Sequence, residues 1–534
     1  MAVVRDGHDL AGFLSELKRR SGLSYAELAR RTYTSSSALH RYCSGHSTPA
    51  DYQVLARIGL ECGASDVELN ELLRRWRDVN DGPPQPPVEH PAPARHPAPV
   101  NQRPAARRRT GVGVLIAVAL LLVPILSASS PDTGPARAEP ITAPSWVTHP
   151  SPVSAASFGV TLNSTTGAMP SFRIGSVRLW DSRTRWANLQ PRRDRFDWAT
   201  LDRLVDGSQR AGLPALFVAG GTPEWAAPNS PKTAYDDDSR TGAPDDLADW
   251  DRFVRAVAER YRGRIEAYEL WAYANDTRFY SGSVETLVAM TRQAAAIVRS
   301  IDGKAVVVCP SMGRLWHSAG RDFLLRFAEL GGYQHCDAAG VKLHQRDAAD
   351  PPETLMQLIT EIDRVMHAAG VHPPLWNTGT TYDLPLQKPL APQRSADYAM
   401  RFYLTGLYGR KFGLARMYFY NWGSSRLPLV LQAEGTAPTE AAIAVETLQR
   451  WLAGARLRSC GQGLAAGLPG NVWQCEFIGE TNRRLVIRWT HAGTADTTAG
   501  PGAESVTRAD GATTALRVGD PVEITESPTL IGYR

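Results

Sequence analysis

Short apolar runs alternate with amphipathic helical stretches from residue 155 onward. Each apolar run predicts a strand: FGVTL (158–162), SVRLW (176–180), PALFVAG (214–220), IEAYELWAY (265–273), AVVVCPS (305–311), AAGVKLH (338–344), PPLWNTG (373–379) and RMYFYNW (416–422). Helical periodicity fills most of the intervals, at Trp198–Ala211, Asp245–Tyr261, Val284–Ile301, Pro352–Ala369 and Ser395–Phe412. This alternation predicts a (β/α)8 TIM barrel over residues 155–455, because nearly continuous apolar strands suit a parallel sheet buried on both faces. An open doubly wound sheet is the alternative, but no Gly-x-Gly-x-x-Gly follows a strand, so a nucleotide site has no support.

The two ends of the chain show different patterns. Residues 456–534 contain short alternating runs with a hairpin signal at Asp510-Gly511, which predicts a small β-sandwich. Residues 1–80 carry helical periodicity interrupted by polar turns. Ser24 is placed to cap a helix from Tyr25 to about Arg31, a polar turn follows, and a third helix runs from Ser36 to Tyr42. Two short helices joined by a tight turn predict an all-α helix-turn-helix bundle.

The run GLSYAELARRTYTSSSALHRYCSGHSTPADYQVLARI resembles the Xre/Cro-type helix-turn-helix family over about 60 residues. The resemblance implies DNA binding, with the recognition-helix face formed by Ser35, Ser36, Ser37, His40 and Arg41. Residues 1–45 carry only seven basic against four acidic side chains, so we expect DNA binding as a dimer. A solvated helix face, or a domain of this type that binds protein instead of DNA, is the alternative.

An uncharged apolar run at 111–128 separates these two parts. Its 18 residues would reach about 27 Å as a helix, roughly the thickness of a bilayer's hydrocarbon core. Four arginines precede it within a Pro-rich stretch at 81–110, and a second linker follows at 129–154. The pattern predicts a single-pass type II protein of the cell membrane, with a cytoplasmic N-terminus and an extracellular C-terminal domain. A buried core helix is the alternative.

Composition and cysteine usage add two constraints. The chain has 59 Lys and Arg against 54 Asp and Glu, so no strong overall charge directs it to a partner. Four cysteines lie beyond the apolar run, and we expect the pairs Cys309–Cys336 and Cys460–Cys475, with four free thiols as the alternative. No Cys-x-x-Cys or Cys/His metal spacing occurs, and no cofactor or metal is predicted.

The carboxyl ends of the predicted barrel strands are rich in aromatic and polar residues. Active sites of TIM barrels lie at these ends, and aromatic rings gathered there provide flat surfaces for sugar rings. The sequence therefore predicts an extracellular glycan as partner, and aromatic plugs that fill the barrel mouth are the alternative. The predicted glycan-binding residues are Trp180, Asp181, Trp225, Trp271, Tyr273, Asn275, His344, Trp376, Asn377 and Trp422.

The fragments VRLWDSRTRWANLQPRRDRFDWATLD, TPEWAAP, YELWAYAND and PPLWNTGTTYD resemble the barrel of clan-A glycoside hydrolases of the family 39, β-xylosidase and α-L-iduronidase, type. The resemblance implies an acid/base Glu in a Trp-Asn-Glu-Pro-Asn motif after the fourth strand and a nucleophilic Glu after the seventh. Tyr273 and Gly379 stand at those two positions, and Ala272 replaces the motif's Asn. We therefore expect no catalytic residues of the standard kind.

Three other carboxylates near these positions leave hydrolysis open. Asp276, Asp181 and Asp383 lie in loops that follow barrel strands, and each is either a substitute catalytic group or a loop-capping residue. Glu269 lies deeper in the fourth strand and is expected in the barrel core. These observations favour a bacterial transcriptional regulator that senses an envelope glycan, perhaps better described as a one-component sensor able to dimerise. An active glycosidase with non-standard carboxylates and an envelope scaffold with a protein-binding helix-turn-helix are the alternatives.

Overall fold

The structure is a computed structural model that describes residues 7–32, 36–49, 52–80, 141–381 and 387–534. The chain divides into two compact units, residues 1–140 and 141–534, and each is described by itself. The apolar run 111–128 and its two linkers, apart from 141–154, lie outside the described residues.

The predicted membrane-spanning arrangement needs correction. In the ranges that the structure describes, no helix combines the length and the apolar character needed to cross a bilayer. This finding goes against the predicted type II localisation in the cell membrane, with its cytoplasmic N-terminus and extracellular C-terminal domain. The physical reason is that a spanning helix needs about 20 largely apolar residues. The longest helix described, Val284–Ile301, instead packs one apolar face against the barrel and carries charges on the other.

The first unit is a bundle of five helices among its described residues: α1 (Gly7–Ser21), α2 (Tyr25–Thr32), α3 (Ser36–Cys43), α4 (Tyr52–Glu61) and α5 (Asp66–Asn80). The Ser24 hydroxyl accepts a hydrogen bond from the Glu27 backbone N–H at 3.1 Å, as expected for the N-cap of α2. Leu28, Leu39 and Leu55 are fully buried and join three helices in one core. The helix-turn-helix expectation is confirmed.

The second unit contains a closed parallel barrel of eight strands. A strand β1 (Trp146–Pro152) precedes it. The barrel strands are β2 (Phe158–Leu162), β3 (Ser176–Leu179), β4 (Ala215–Val218), β5 (Ala267–Glu269), β6 (Val306–Met312), β7 (Ala338–Val341), β8 (Leu375–Asn377) and β9 (Leu414–Trp422). The helices of this unit are α6 (Trp186–Leu189), α7 (Ala199–Arg210), α8 (Leu247–Arg260), α9 (Val284–Ile301), α10 (Ser318–Glu329), α11 (Leu355–Ala368), α12 (Pro392–Tyr408) and α13 (Glu440–Trp451). The TIM-barrel expectation is confirmed, since β2 pairs with both β3 and β9 and so closes the ring.

The barrel interior is filled in layers. One apolar cluster takes each of its members from a barrel strand, among them Leu216, Ala267, Val308, Trp376 and Tyr418, so we assign these side chains to the inside. The much larger core lies between the strands and the surrounding helices. The interior is therefore a solid core, and a ligand can be bound only above it, at the carboxyl ends of the strands.

The C-terminal region adds an antiparallel sheet. Its strands are β10 (Arg456–Gln462), β11 (Val472–Ile478), β12 (Arg484–Thr490), β13 (Ala495–Thr498), β14 (Ala503–Thr507), β15 (Thr513–Ala515), β16 (Pro521–Ile524) and β17 (Thr529–Tyr533). Seven strands form one sheet in the order β1-β10-β11-β12-β17-β14-β15, and β13 pairs with β16. Strand β1 belongs to this sheet although its residues fall in the predicted linker 129–154, because its partner β10 is more than 300 residues away in sequence.

Covalent and ionic links hold the sheet and barrel together. Both predicted disulfides, Cys309–Cys336 and Cys460–Cys475, are confirmed. The buried Arg401 guanidinium on α12 donates to both oxygens of Glu353, at 2.9 and 2.6 Å, and Trp489 of the sheet donates to the same carboxylate at 2.7 Å. This buried network fixes the sheet against the barrel and takes no part in the mouth.

Candidate functional site

The barrel mouth is lined by an aromatic cluster at the ends of β3, β4 and β5. Trp180, Tyr235 and Tyr273 pack there with the small side chains Val218 and Ala272. The Trp180 indole donates a hydrogen bond to the Tyr235 hydroxyl at 2.9 Å, and the rings meet edge to face. Tyr273 remains half-buried and has a left-handed backbone, with φ of 56°. Among the predicted glycan-binding residues, Trp180 and Tyr273 are thus brought together.

A charged wall adjoins this cluster. The Arg185 guanidinium lies 3.9 Å above the Tyr235 ring, pairs with the buried Asp237 and lies 3.6 Å from Asp181. The Tyr420 hydroxyl is hydrogen-bonded to Asp181, and burial followed by this carboxylate raises the pKa of Tyr420 well above its usual value. Asp181 keeps part of its side chain exposed, so it is the acidic group of this wall that a ligand can reach.

The floor beneath the mouth is a fully buried ionic cluster. Glu269 on β5 accepts from the Arg178 guanidinium at 2.7 and 3.1 Å and from the Thr378 hydroxyl at 3.1 Å. The Lys342 ammonium lies 3.6 Å from Glu269 and donates to the Thr378 carbonyl at 2.7 Å. Burial followed by repulsion from Arg178 lowers the pKa of Lys342 to about 7. Although burial opposes it, the pKa of Glu269 is held below its usual value by Arg178 and Lys342.

The two positions at which the sequence comparison expects glutamates lie at opposite sides of this floor. Tyr273 follows β5, the fourth barrel strand, and its ring lies 5.1 Å from the Lys342 ammonium. Gly379 follows β8, the seventh strand, with φ of 88°. A carbon placed at its missing Cβ position would lie 3.5 Å from the Thr161 hydroxyl and 3.7 Å from Tyr420. Glu269 is buried in the barrel core, as expected, and both of its oxygens are occupied.

Several other predicted glycan-binding residues have structural partners. Asn275 holds the Gly313 backbone through two hydrogen bonds of 2.7 Å, and Asn377 bonds the Leu343 backbone N–H at 3.0 Å and its carbonyl at 3.2 Å. His344 is nearly buried, with its ring nitrogen 3.1 Å from the Gln345 carbonyl. These contacts show how the three side chains fix backbone segments near the mouth.

The remaining predicted tryptophans pack into the protein. Trp271 is buried against Trp250, and Trp422 is buried and donates to Gln432 at 2.9 Å. Trp376 lies in the interior cluster, with the Arg416 guanidinium 3.9 Å from its ring. Trp225 is half-buried and donates to the Gln190 carbonyl at 2.8 Å. The plug interpretation fits these four better than contact with a sugar.

The two fallback carboxylates differ in availability. Asp276 is buried, and its carboxylate accepts from the backbone N–H of Arg278 at 3.0 Å and from its guanidinium at 2.7 Å. This arrangement favours the loop-capping interpretation for Asp276, whereas Asp181 faces the mouth. Asp383 lies outside the described residues.

The recognition helix α3 presents a polar face. Ser36, Ser37, His40 and Arg41 are exposed, and Leu39 is buried beneath them. Ser35 lies outside the described residues. An exposed face of this composition on the second helix of the motif is the geometry that major-groove contact requires.

The sequence analysis missed the charged partners of the mouth. Arg178, Lys342 and Thr378 lie inside strands or directly after them, where they interrupt apolar runs. A charged residue in a barrel strand that is otherwise apolar is the signal that could have found the floor, because such a group needs a buried partner. Arg185 and Tyr235 lie in loops, and the pattern of the chain gives no comparable signal for them.

Comparison with known proteins supports the two folds. Residues 9–72 match the helix-turn-helix domain family. No curated protein matches the chain in sequence. The second unit is similar in structure to a family 39 glycoside hydrolase from Bacteroides cellulosilyticus WH2, with a TM-score of 0.52, 13% identity, and 71% of this chain and 81% of that chain covered. It has a glycoside hydrolase-like barrel.

Two further structures show the same likeness. A glucosidase from Croceicoccus marinus gives a TM-score of 0.50 at 14% identity, and a monomeric β-xylosidase from Caulobacter crescentus CB15 gives 0.51 at 13%. Each comparison covers 72% of this chain and 97% of the other. At such identities the likeness shows the fold alone, so the activity of this glycoside hydrolase-like barrel has to be argued from its own side chains.

Proposed function

We propose that the protein is a DNA-binding regulator whose glycoside hydrolase-like barrel binds a carbohydrate without cleaving it by the two-glutamate mechanism. The observation that carries the proposal is the barrel mouth, where an aromatic cluster and a reachable carboxylate accompany Tyr273 and Gly379 at the two strand ends. Retaining hydrolysis needs one carboxyl group to protonate the leaving oxygen and a second about 5–5.5 Å away to form the glycosyl intermediate. A phenol and a glycine supply neither.

The binding chemistry rests on the mouth residues. The half-buried Tyr273 and the edge of Trp180 offer apolar ring surface, and Asp181 and Arg185 offer an acceptor and a donor for hydroxyl groups. At the other unit, Ser36, Ser37, His40 and Arg41 of α3 would contact base edges and phosphates. We propose that DNA is bound by a homodimer, since a single domain of this modest charge has little electrostatic affinity.

The test uses the full chain and a library of oligosaccharides. Mass spectrometry after incubation should find retained glycans of unchanged length, and Tyr273→Ala should reduce retention at least tenfold. DNA fragments selected by the same protein should lose affinity in Arg41→Ala and keep it in Tyr273→Ala. Shortened glycans would contradict the non-hydrolytic part of the proposal, and a library in which nothing is retained would contradict carbohydrate binding.

One observation favours an active glycosidase as a second candidate. Asp181 faces the mouth and is hydrogen-bonded to the Tyr420 hydroxyl, so a carboxylate and a phenol adjoin each other where a sugar would lie. If this pair performs hydrolysis, Asp181→Asn and Tyr420→Phe should each abolish turnover of a shortened glycan. Asp276→Asn is the matched control, because Asp276 is held by Arg278 and should leave turnover unchanged in a folded variant.

A further inference from the structure

The floor of the mouth contains room for a small group beside Gly379. A carbon at its Cβ position would meet its nearest neighbours, Thr161 and Tyr420, at ordinary contact distances of 3.5 and 3.7 Å. The Thr161 side chain is fully buried, and its hydroxyl has no hydrogen-bond partner within the described ranges. Buried hydroxyls are nearly always hydrogen-bonded, so this one indicates a ligand atom that completes the site.

The same floor has more positive than negative charge. Arg178 and Lys342 are both fully buried, and Glu269 is the carboxylate between them. Arg178 occupies both oxygens of Glu269, so Lys342 is left with a longer contact of 3.6 Å and with hydrogen bonds to Thr378, the residue before Gly379. A buried charge without a close counter-charge is unfavourable, and the low pKa of Lys342, about 7, is the consequence.

The other groups that face Lys342 do not supply the missing anion. Asp181 acts on Lys342 from the wall, but it lies 3.6 Å from Arg185 and is hydrogen-bonded to Tyr420. Tyr273 presents the face of its ring to the ammonium at 5.1 Å. An anion that enters the floor beside Gly379 would therefore meet a cation and an unused hydroxyl.

We propose that the space beside Gly379 binds a carboxylate group of the ligand, with Lys342 and Thr161 as its binding residues. The inference rests on the proposed carbohydrate-binding function and narrows it to a ligand that bears a carboxylate. A sugar acid and a free small carboxylic acid share this chemistry. In either case the Thr161 hydroxyl donates to one carboxylate oxygen, and Lys342 takes up a proton to become the counter-charge.

The first experiment is calorimetric titration of the full chain with D-glucuronate, D-glucose and acetate. At pH 6 we expect D-glucuronate to bind at least tenfold more tightly than D-glucose. Because Lys342 is mostly neutral above pH 7, binding at pH 8 should take up close to one proton, and binding at pH 6 close to none. Acetate binding as tight as that of D-glucuronate would identify the free acid as the source.

The outcomes separate the inference from the proposed function. Equal binding of D-glucose and D-glucuronate would overturn the carboxylate site and leave carbohydrate binding intact. Failure of both D-glucuronate and acetate to bind at millimolar concentration would overturn the inference, whereas retention of a neutral oligosaccharide in the same preparation would keep the proposed function. Failure of every sugar would overturn both.

Variants give a test that depends on no chosen ligand. Thr161→Val should weaken carboxylate binding at least tenfold, and Thr161→Ser should retain it. Gly379→Asp and Gly379→Asn have the same shape and the same strain at φ of 88°, but only the first places a carboxylate in the space. Gly379→Asp should unfold at a midpoint at least about 2 °C above that of Gly379→Asn at pH 7. Equal midpoints would contradict a carboxylate-binding floor.

Discussion

The recognition helix α3 and the barrel mouth both concentrate polar side chains, yet they hold them in opposite ways. On α3 the polar residues are exposed and only Leu39 and Cys43 are buried. At the mouth the charges of Arg178, Glu269 and Lys342 are almost completely removed from water. The polar residues of α3 can therefore change without affecting the fold, whereas those of the floor support the fold and the ligand site at once.

Removal of one partner from the buried floor is expected to give the largest effect. Arg178→Met leaves Glu269 buried beside Lys342 alone and should lower the free energy of unfolding by about 3–5 kcal/mol. Denaturant unfolding of the full chain measures the change. The double variant Arg178→Met/Glu269→Leu is the control, and it should be less destabilised than Arg178→Met because no carboxylate remains unpaired. A single variant as stable as wild type would remove the contrast with α3.

The second prediction concerns pH. The pKa of Lys342 falls from 10.5 to about 7 on folding, so between these values the unfolded chain binds a proton that the folded chain does not. Stability should therefore rise with pH in this window, by at most about 1.4 kcal/mol per unit, and the contribution should be constant below pH 7. The measurement is the free energy of unfolding from pH 6 to 10 in wild type and in Lys342→Met. Parallel curves would show that Lys342 stays protonated when folded.

The third prediction tests the exposed side of the comparison. Arg41→Ala should leave the free energy of unfolding within about 0.5 kcal/mol of wild type, because Arg41 is exposed. If α3 contacts DNA, the same change should weaken binding to a selected fragment about tenfold or more. Arg19→Ala is the matched control, since Arg19 is an exposed arginine on α1 that pairs with Glu16. Equal losses in both variants would indicate that only overall charge matters.

The same contrast explains what the sequence could predict. Alternating periodicity located the eight barrel strands and the short helices, because one burial pattern repeats along each element. The strand ends that carry Trp180, Asp181 and Tyr273 were also predictable, since barrel topology brings them to one rim. The direction of Trp271, Trp376 and Trp422 was not, because a residue near a strand end can face the mouth, the interior or the helices.

Long-range pairing set the other limit. Strand β1 joins the C-terminal sheet across the whole barrel, and a seven-residue run that includes two prolines gave no sign of it. The floor depends likewise on side chains from β3, β5 and the ends of β7 and β8, which lie as far as 109 residues apart where Thr378 bonds Glu269. Such partners are recognised only once the barrel closes.

The smallest expected effect compares one kind of helix cap in the two units. Ser24 caps α2 through the Glu27 N–H at 3.1 Å, and Asp246 caps α8 through the Ala248 N–H at 2.9 Å. Ser24→Ala and Asp246→Ala should each cost about 1 kcal/mol, because each leaves a helix N–H without its acceptor. Calorimetry of the full chain should nevertheless show unequal shifts. A small helical unit has a small entropy of unfolding, so 1 kcal/mol moves its midpoint by roughly 4–8 °C, while the larger barrel unit should shift by about 2 °C or less. Equal shifts in one shared transition would mean that the two units unfold together, and the polar face of α3 would then be no more independent of the fold than the floor of the barrel.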